Sequence, residues 1–539
     1  MRKSCPLLLV LACALAARAE QPLFEGLGHH HRAVTHASAE AQKYFDQALT
    51  WTFAFNHDEA IRSYEAAAAL SPDCAMAWWG IALCHGPHIN NTVVPPERAK
   101  AAWEALQKAL ALTGKASPVE AALIGALAKR YAEPQPADRK PLDEAYAAAM
   151  REVYGKFPDD VDVGTLYAES LMDLQPWDLW TKDGKPKGRT EEVMAVLEKV
   201  MAKQADHPGA THLYIHTVEN SPFPEKGNAA AETLRALVPA SSHLVHMPGH
   251  IYVQTGRWAE AAAANERAIL ADAAYRKISP KQGFYAIYMA HNHQFLSWVA
   301  MMQGRCAKAV EQARAMVAGV PPEFVEASPA SVDGYLPIQY EVLIRFGKWD
   351  EMLREPAPSG KLPILTAFWH LCRGLSFAAK DEIEDALAEQ AKFRAVTAKI
   401  PAETIMAINP ACSVLAIADR VLAGEIALAR EDLDAAASEL REAVKLEDAL
   451  TYMEPPDWLV PTRHTLGAVL VKAKRFEEAE KVYREDLVAW PENGWALYGL
   501  ARCLKALGRD EEAASVQKRF EAQWSEADTK LGSTCLCVD

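Results

Sequence analysis

Alanine, glycine and aromatic residues recur along this chain with a period of 34 residues. In the stretch TRHTLGAVLVKAKRFEEAEKVYREDLVAWPEN, taking Arg463 as position 4 places Leu466 at 7, Gly467 at 8, Ala479 at 20, Tyr483 at 24 and Pro491 at 32. One period further on, Leu500, Ala501, Leu504 and Ala513 occupy the corresponding places. The same frame fits near the start. Tyr44 takes position 4, Trp51 position 11, Ala60 position 20, Tyr64 position 24 and Pro72 position 32, and Trp78 opens the next period. Each period reads as two amphipathic helices joined by a short turn, with small residues where helices approach closely. One such pair cannot bury its apolar face alone, so successive pairs must stack.

A 34-residue period with these preferences is that of the tetratricopeptide unit. The expected fold is therefore all-α: a tetratricopeptide-repeat α-solenoid, a right-handed superhelix of antiparallel helix pairs without a sheet. No alternating strand pattern, Rossmann fingerprint, P-loop or nucleophile elbow interrupts it. Pro/Gly-rich insertions fall at 131–141, 177–190 and 320–334. The last of these divides an N-terminal array, 20–330, from a C-terminal array, 331–539.

The first residues, MRKSCPLLLVLACALAARAE, run from Arg2 and Lys3 through a short apolar stretch to Ala17-Arg18-Ala19. That order is a secretory signal peptide over 1–19, cleaved after Ala19. Lipidation at Cys13 is the weaker alternative. No later segment has the roughly 20 apolar residues a transmembrane helix needs. A periplasmic or secreted location is expected. Acidic residues outnumber basic ones, 71 to 57, for a formal charge of -14. With no Lys/Arg cluster, that balance argues against nucleic acid as a partner. Cys74, Cys84, Cys306, Cys372, Cys412 and Cys503 lie in helical patterns and are mostly expected as small core residues. Cys535 and Cys537, in STCLCVD, are open to metal binding, to pairing with another thiol, or to a frayed tail.

The repeat frame also places the histidines. In ASSHLVHMPGHIYVQTGRW, with Ala261 at position 20, His243, His246 and His250 fall at 2, 5 and 9 of one A helix. These positions lie opposite the packing positions 4, 7, 8 and 11, and so face the concave groove. In HPGATHLYIHTVENS, His212, His216 and Glu219 take 2, 6 and 9. In the next unit His291 takes 2, His293 takes 4 and Gln294 takes 5. Three consecutive A helices thus each turn a histidine inward, roughly 10 Å apart from helix to helix. A His-rich set with one carboxylate and no thiolate suits zinc, copper, iron or nickel better than magnesium or calcium. His212, His216, Glu219, His243, His246, His250 and His291 are the candidate ligands. The competing readings are hydrogen-bonded groove lining and direct recognition of an anionic or peptide ligand. Other histidines weigh less. His29, His30, His31 and His36 suggest a mobile start, a metal-binding arm or a lid. His57 suggests a cap, His85 and His88 a turn, His464 a distant groove position and His370 the core.

The stretches HPGATHLYIHTVENS, HLVHMPGHIYVQTGRWAEAAAANERAI, FNHDEAIRSYEAAAALSPDCAMAWWGIAL and YREDLVAWPENGWALYGLARCL together resemble a family of large secreted bacterial tetratricopeptide-repeat proteins. They are more distantly similar to tetratricopeptide repeat protein 38. The resemblance covers most of the mature chain and implies a His-bearing central groove, without implying a reaction. Family members carry His where this chain has Gln294. YMEPPDWLVPTRHTLG (452–467) also matches, with Trp458 and the Pro-Pro pair expected to shape a loop. Three functions fit the sequence: a binding scaffold for a peptide, protein or small molecule in the groove; a metal-dependent enzyme with Glu219 as base and Tyr214, Tyr252 or Tyr288 orienting substrate; and periplasmic metal handling.

Overall fold

The computed structural model of the protein describes residues 21–538. The signal segment 1–19, its cleavage point and Cys13 lie outside the described residues. Helices follow one another as antiparallel pairs, Ala39–Phe53 with His57–Leu70, Thr462–Lys472 with Phe476–Ala489, and Gly494–Ala506 with Asp510–Gln523. These are the windows whose period the sequence shows. The fold is a tetratricopeptide-type α-solenoid.

The turn inside each pair is built by one residue at position 15. Phe55, Gly256, Gly304, Lys474 and Gly508 all have left-handed backbone, with φ of 56°, 76°, 70°, 60° and 75°. The next amide then reaches back to the last turn of helix A. Asn56 N donates to Trp51 O (3.0 Å), Arg257 N to Tyr252 O (2.7 Å) and Arg475 N to Leu470 O (2.9 Å). This six-to-one bond satisfies an orphan carbonyl and reverses the chain. Between pairs, the aromatic ring at position 24 fills the space left by a glycine. Tyr483 lies between Gly467 and Gly499, and Tyr64 lies over Gly80, so a Cβ on any of these glycines would overlap a ring.

Buried apolar side chains form two clusters. One runs from Leu27 through the middle of the chain and includes Trp495; the other holds the C-terminal helices. The C-terminal repeats fold back onto the centre of the array. Trp258 Nε1 donates to Pro491 O (2.8 Å), Trp495 Nε1 donates to Met301 O (2.9 Å), and the Trp298 and Trp490 rings meet at 5.0 Å. The arm before the first helix is not a loose start. It is tied across the repeats by Gly26 O to Ala240 N (3.0 Å), Thr35 N to Glu120 (2.8 Å), and three His–Asp contacts: His29 with Asp206, His30 with Asp162 and His31 with Asp46.

The expectation of no sheet needs one correction. Ile405–Met406 pairs antiparallel with Asn409–Pro410. The turn between them uses left-handed Ala407 (φ 50°), and Asp457 (2.8 Å) and Thr451 O (3.0 Å) hold the Asn409 amide. Two-residue strands carry no alternation that a sequence could display. Among the described residues no helix is long and apolar enough to cross a membrane. Cys74, Cys84, Cys372 and Cys503 are buried as expected, Cys306 is half-buried and Cys412 is exposed.

Candidate metal centre

Four short helices carry the site. Pro208–Val218 supplies His212 and His216, with Glu219 at its C-cap. Ser242–His246 and Pro248–Gln254 supply His243, His246 and His250. The sequence reads as one helix there, but Pro248 has no N–H to donate and the helix breaks at Met247. The inward stripe survives because Met247 keeps helical backbone angles. Ala286–Met302 supplies His291.

The six histidines come together as two adjacent triads rather than one cluster. Ring nitrogens of His212, His216 and His243 lie within 4.8 Å of one another, and so do those of His246, His250 and His291. In the first triad His212 Nε2 faces His243 Nε2 at 3.1 Å. In the second His246 Nε2 faces His250 Nε2 at 2.8 Å. The opposite nitrogens fix which atoms carry lone pairs. His212 Nδ1 donates to Phe53 O (2.7 Å) and His246 Nδ1 donates to Asn265 Oδ1 (2.7 Å). Asn265 is itself oriented by its Nδ2 donating to Ala261 O (2.9 Å). Both Nε2 atoms therefore point lone pairs into the triads. His216 Nδ1 meets Glu219 Oε1 (3.2 Å), and its buried Nε2 has no partner. Imidazoles whose outer nitrogen is held by a carbonyl, amide or carboxylate are what metal sites use to orient ligands. Two nitrogens each about 2.0 Å from a tetrahedral ion stand about 3.3 Å apart. The two facing pairs, at 3.1 and 2.8 Å, fall a little below that figure, and the remaining nitrogens of each triad lie within 4.8 Å.

Glu219 links the triads. Its other oxygen, Oε2, stands 3.0 Å from His250 Nδ1. Burial alone would raise its carboxyl, but His250 and His216 hold it down to about 2. His250 Nδ1 is also 3.0 Å from Glu454 Oε2. Burial opposes charge on His250, yet the two carboxylates push it up to about 10, so without metal its Nε2 donates to His246 Nε2 and must release that proton for an ion to take its place. Four of the other imidazoles are driven to the neutral form. Burial and their neighbours hold His212, His243 and His246 well below the usual histidine range, and burial lowers His291 to about 3. Only His291 among the six is half-exposed, and half-buried Trp177 meets His216 edge-on at 5.0 Å.

Several sequence expectations change. Tyr288 does lie at the site, its ring 4.2 Å from His243. Tyr214 and Tyr252 do not; their hydroxyls donate to Glu198 (2.8 Å) and Glu232 (3.2 Å). His293 is turned to Gln312 (2.7 Å) on the packing side, as its position implies. His57 is not the cap, because Asn56 Oδ1 caps that helix; His57 instead lies buried against His88 (4.5 Å). His85 closes the helix before the turn, and His88 bridges Asn91 through the backbone while stacking on Phe55. His464 is buried between Asp486 (2.9 Å) and Arg345 (2.9 Å). His370 is half-buried and paired with Glu389 (2.6 Å) rather than in the apolar core, because a charged partner on the neighbouring helix draws it out. Asn265 and Glu454 were not singled out from the sequence. Asn265 sits on a B helix, and Glu454 reaches the site from 200 residues away, where Gln254 Nε2 donates to its Oε1 (2.6 Å).

A third cluster, His30, Asp162 and His207, is chemically closed. Both Nε2 atoms meet Asp162 Oδ1 (2.9 and 3.1 Å), His207 Nδ1 accepts from Ala210 N (3.1 Å), and Arg32 takes the other oxygen (2.9 Å). No lone pair there lacks a use. A fourth, Glu425 with Cys535 and Cys537, contains a disulfide, so its sulfurs are not thiolate ligands.

A tetratricopeptide-repeat family model matches residues 470–518. Similar solved structures include the human IFIT1 dimer with m7Gppp-AAAA (13% identity, 79% of this chain and 86% of that one, TM-score 0.33). Yeast Tom70 (12%, 89% and 90%, 0.29) and the Cut9–Hcn1 hetero-tetramer of the APC/C (15%, 86% and 76%, 0.32) are others. No curated protein sequence matches the chain significantly.

Proposed function

We propose that this protein is an exported helical-repeat scaffold whose groove holds two transition-metal ions, one in each histidine triad. Zinc, copper, iron and nickel all accept such ligands. The supporting observation is the two facing Nε2 pairs, at 3.1 and 2.8 Å, in each of which one ring, His212 or His246, has its outer nitrogen committed to an acceptor. Ions there would join helices distant in sequence and brace the stack. The groove around them then serves to hold a peptide, protein or small molecule, as stacked repeats do. A metal-dependent enzyme is the second reading. It draws on the three-ligand sets, which leave a coordination position open, and on half-exposed His291 beside one of them. Periplasmic metal handling, with the ions as cargo, shares the same ligands.

Elemental analysis of untagged protein, followed by titration of the stripped protein with zinc and copper, tests the metal. Two ions per chain are expected. Protein that stays empty when zinc, copper, nickel and iron are each offered would reduce the histidines to groove lining. Export is tested apart from this, by mass spectrometry of protein from its native host. The mature chain should begin at Glu20, and an intact Met1 in a cytoplasmic fraction would reject it.

A further inference from the structure

The chain's last described segment turns back into the groove of the C-terminal repeats. Trp524 Nε1 donates to Thr529 O (2.9 Å), Tyr498 OH to Leu531 O (3.0 Å) and Thr534 Oγ1 to His464 O (2.7 Å). Tyr483 OH shares a hydrogen bond with Thr534 Oγ1 (2.7 Å), and Val538 is buried in the C-terminal apolar cluster. Between these anchors, Cys535 and Cys537 form a disulfide and remain half-buried. The bond encloses only Leu536 and joins no two helices. Stabilisation by cross-linking grows with the loop closed, so this disulfide contributes close to the least a disulfide can.

Facing it is Glu425, from the helix Ala411–Ala429. Its side chain is buried, 5% exposed, with Oε1 3.9 Å from Cys535 Sγ and Oε2 without a hydrogen-bond partner. It lines a cavity of about 50 Å³ together with Glu341, Cys372 and Cys535. A buried carboxyl with a bare oxygen costs stability unless it has a use. Burial raises Glu425 to about 8, so it holds a proton at neutral pH.

We propose that Cys535–Cys537 is a redox-active disulfide that exchanges with an external dithiol, and that Glu425 gives a proton to the departing Cys535 sulfur. A thiolate of the dithiol attacks Cys537 Sγ. The S–S bond breaks, its electron pair goes to Cys535, and Cys535 takes the Glu425 proton, which water later restores. The second thiolate of the dithiol then attacks the mixed disulfide and expels Cys537 as a thiolate, which is protonated by solvent. The dithiol is oxidised to a disulfide, and the protein gains two electrons and two protons. The anchors at Thr534 and Val538 keep both sulfurs beside Glu425 after reduction, so the reverse reaction starts from the same geometry.

The test uses the untagged full chain with dithiothreitol as reductant. Alkylation and mass spectrometry of the C-terminal peptide follow the reaction from pH 6 to 9. Protein purified in air should carry the linked pair. Glu425→Gln should slow its reduction about tenfold or more at pH 7, as loss of a general acid does, and should flatten the pH profile. Glu425→Asp should recover part of the rate. Glu341→Gln alters a second buried acid of the same cavity, one with no hydrogen bond to Cys535 or Cys537, and should leave the rate unchanged. Cys535→Ser/Cys537→Ser should leave the circular dichroism spectrum unchanged. Free thiols at Cys535 and Cys537 in air-purified protein would overturn the proposal, and so would equal reduction rates for the native chain and Glu425→Gln. A Glu341→Gln variant slowed as much as Glu425→Gln would overturn it too, by showing that disturbance of the cavity alone accounts for the loss.

Discussion

Replacing His246 with alanine should take the metal content from two ions to one. His246 is fully buried. It supplies the lone pair facing His250 Nε2 at 2.8 Å, and its ring centroid is 4.8 Å from that of His291. Without it the second triad keeps two imidazoles, while His212, His216 and His243 keep their contacts. Two separate costs follow. In the metal-free protein, Asn265 Oδ1 loses its 2.7 Å partner. An unsatisfied buried acceptor costs about 1–3 kcal/mol. In the loaded protein, the ion of the second triad no longer stabilises the fold. At a free metal concentration of 100 times Kd that contribution is about 2.7 kcal/mol. The two are separable by measuring the melting temperature of native and variant protein, each stripped by chelator and each loaded, with stoichiometry from elemental analysis. The metal-induced gain in stability should fall by about one ion's share, and the stripped proteins should differ by the hydrogen-bond cost alone. A variant that still binds two ions would refute the assignment of His246. A variant that binds none would refute the two-site arrangement and point to one shared ion.

Glu219→Gln keeps the shape of a residue that touches both triads but removes its charge; metal affinity should drop about 10–100-fold at both sites, read by competition with a chromogenic chelator. His370→Ala, which breaks a pair with Glu389 far from the triads, should leave two ions bound in the same elemental analysis. Gly467→Ala would set a Cβ against the Tyr483 ring and should destabilise by about 1–3 kcal/mol in chemical denaturation, with helix content retained. Burial raises Glu341 from the usual 4.5 to about 8. A raised carboxyl favours the folded state fully below about 4.5 and loses that contribution as pH climbs towards 8, at a ceiling of about 1.4 kcal/mol per unit. Glu341→Gln should therefore lose less melting temperature than the native chain between pH 5 and 8, and an equal loss would refute the sign.

The repeat was legible because it is written in the residues that packing restricts most. Gly467 and Tyr483 occupy places where a different size would collide. The inward direction of His212, His243 and His291 followed from the same register, since the positions that do not pack must face the groove. The division into two triads did not follow. It depends on the short break at Pro248 and on side-chain angles that a helical frame leaves free. The tyrosines were legible but misassigned. The register puts Tyr214 at position 4 and Tyr252 at 11, both on the packing side, and their contacts with Glu198 and Glu232 agree with it rather than with a role at the site. His370 was misread for a different reason. An aromatic neighbourhood in sequence says nothing of Glu389, which reaches it from the next helix.

Glu454 was hidden by topology rather than by chemistry. A solenoid whose repeats contact only their neighbours would keep residue 454 far from residue 250. Here Trp258 with Pro491 and Trp495 with Met301 draw the C-terminal repeats against the centre of the array. The loop before Thr462 is thereby carried to the groove, and Glu454 meets His250 and Gln254 there. This contact makes the second triad sensitive to the fold-back, while the first triad takes its outer partners, Phe53 O and Glu219, from the N-terminal half alone. Loosening the fold-back should then separate the two sites. Trp495→Ala removes a buried ring and its bond to Met301 O. A Trp→Ala change in a core costs about 3–5 kcal/mol, and at this seam the cost falls on the joint between the two ends. The ion held by His246, His250 and His291 should weaken, while the ion held by His212, His216 and His243 keeps its affinity, as resolved by two-site calorimetric titration. Equal weakening of both would mean that Glu454 gives the second triad nothing the first does not also receive.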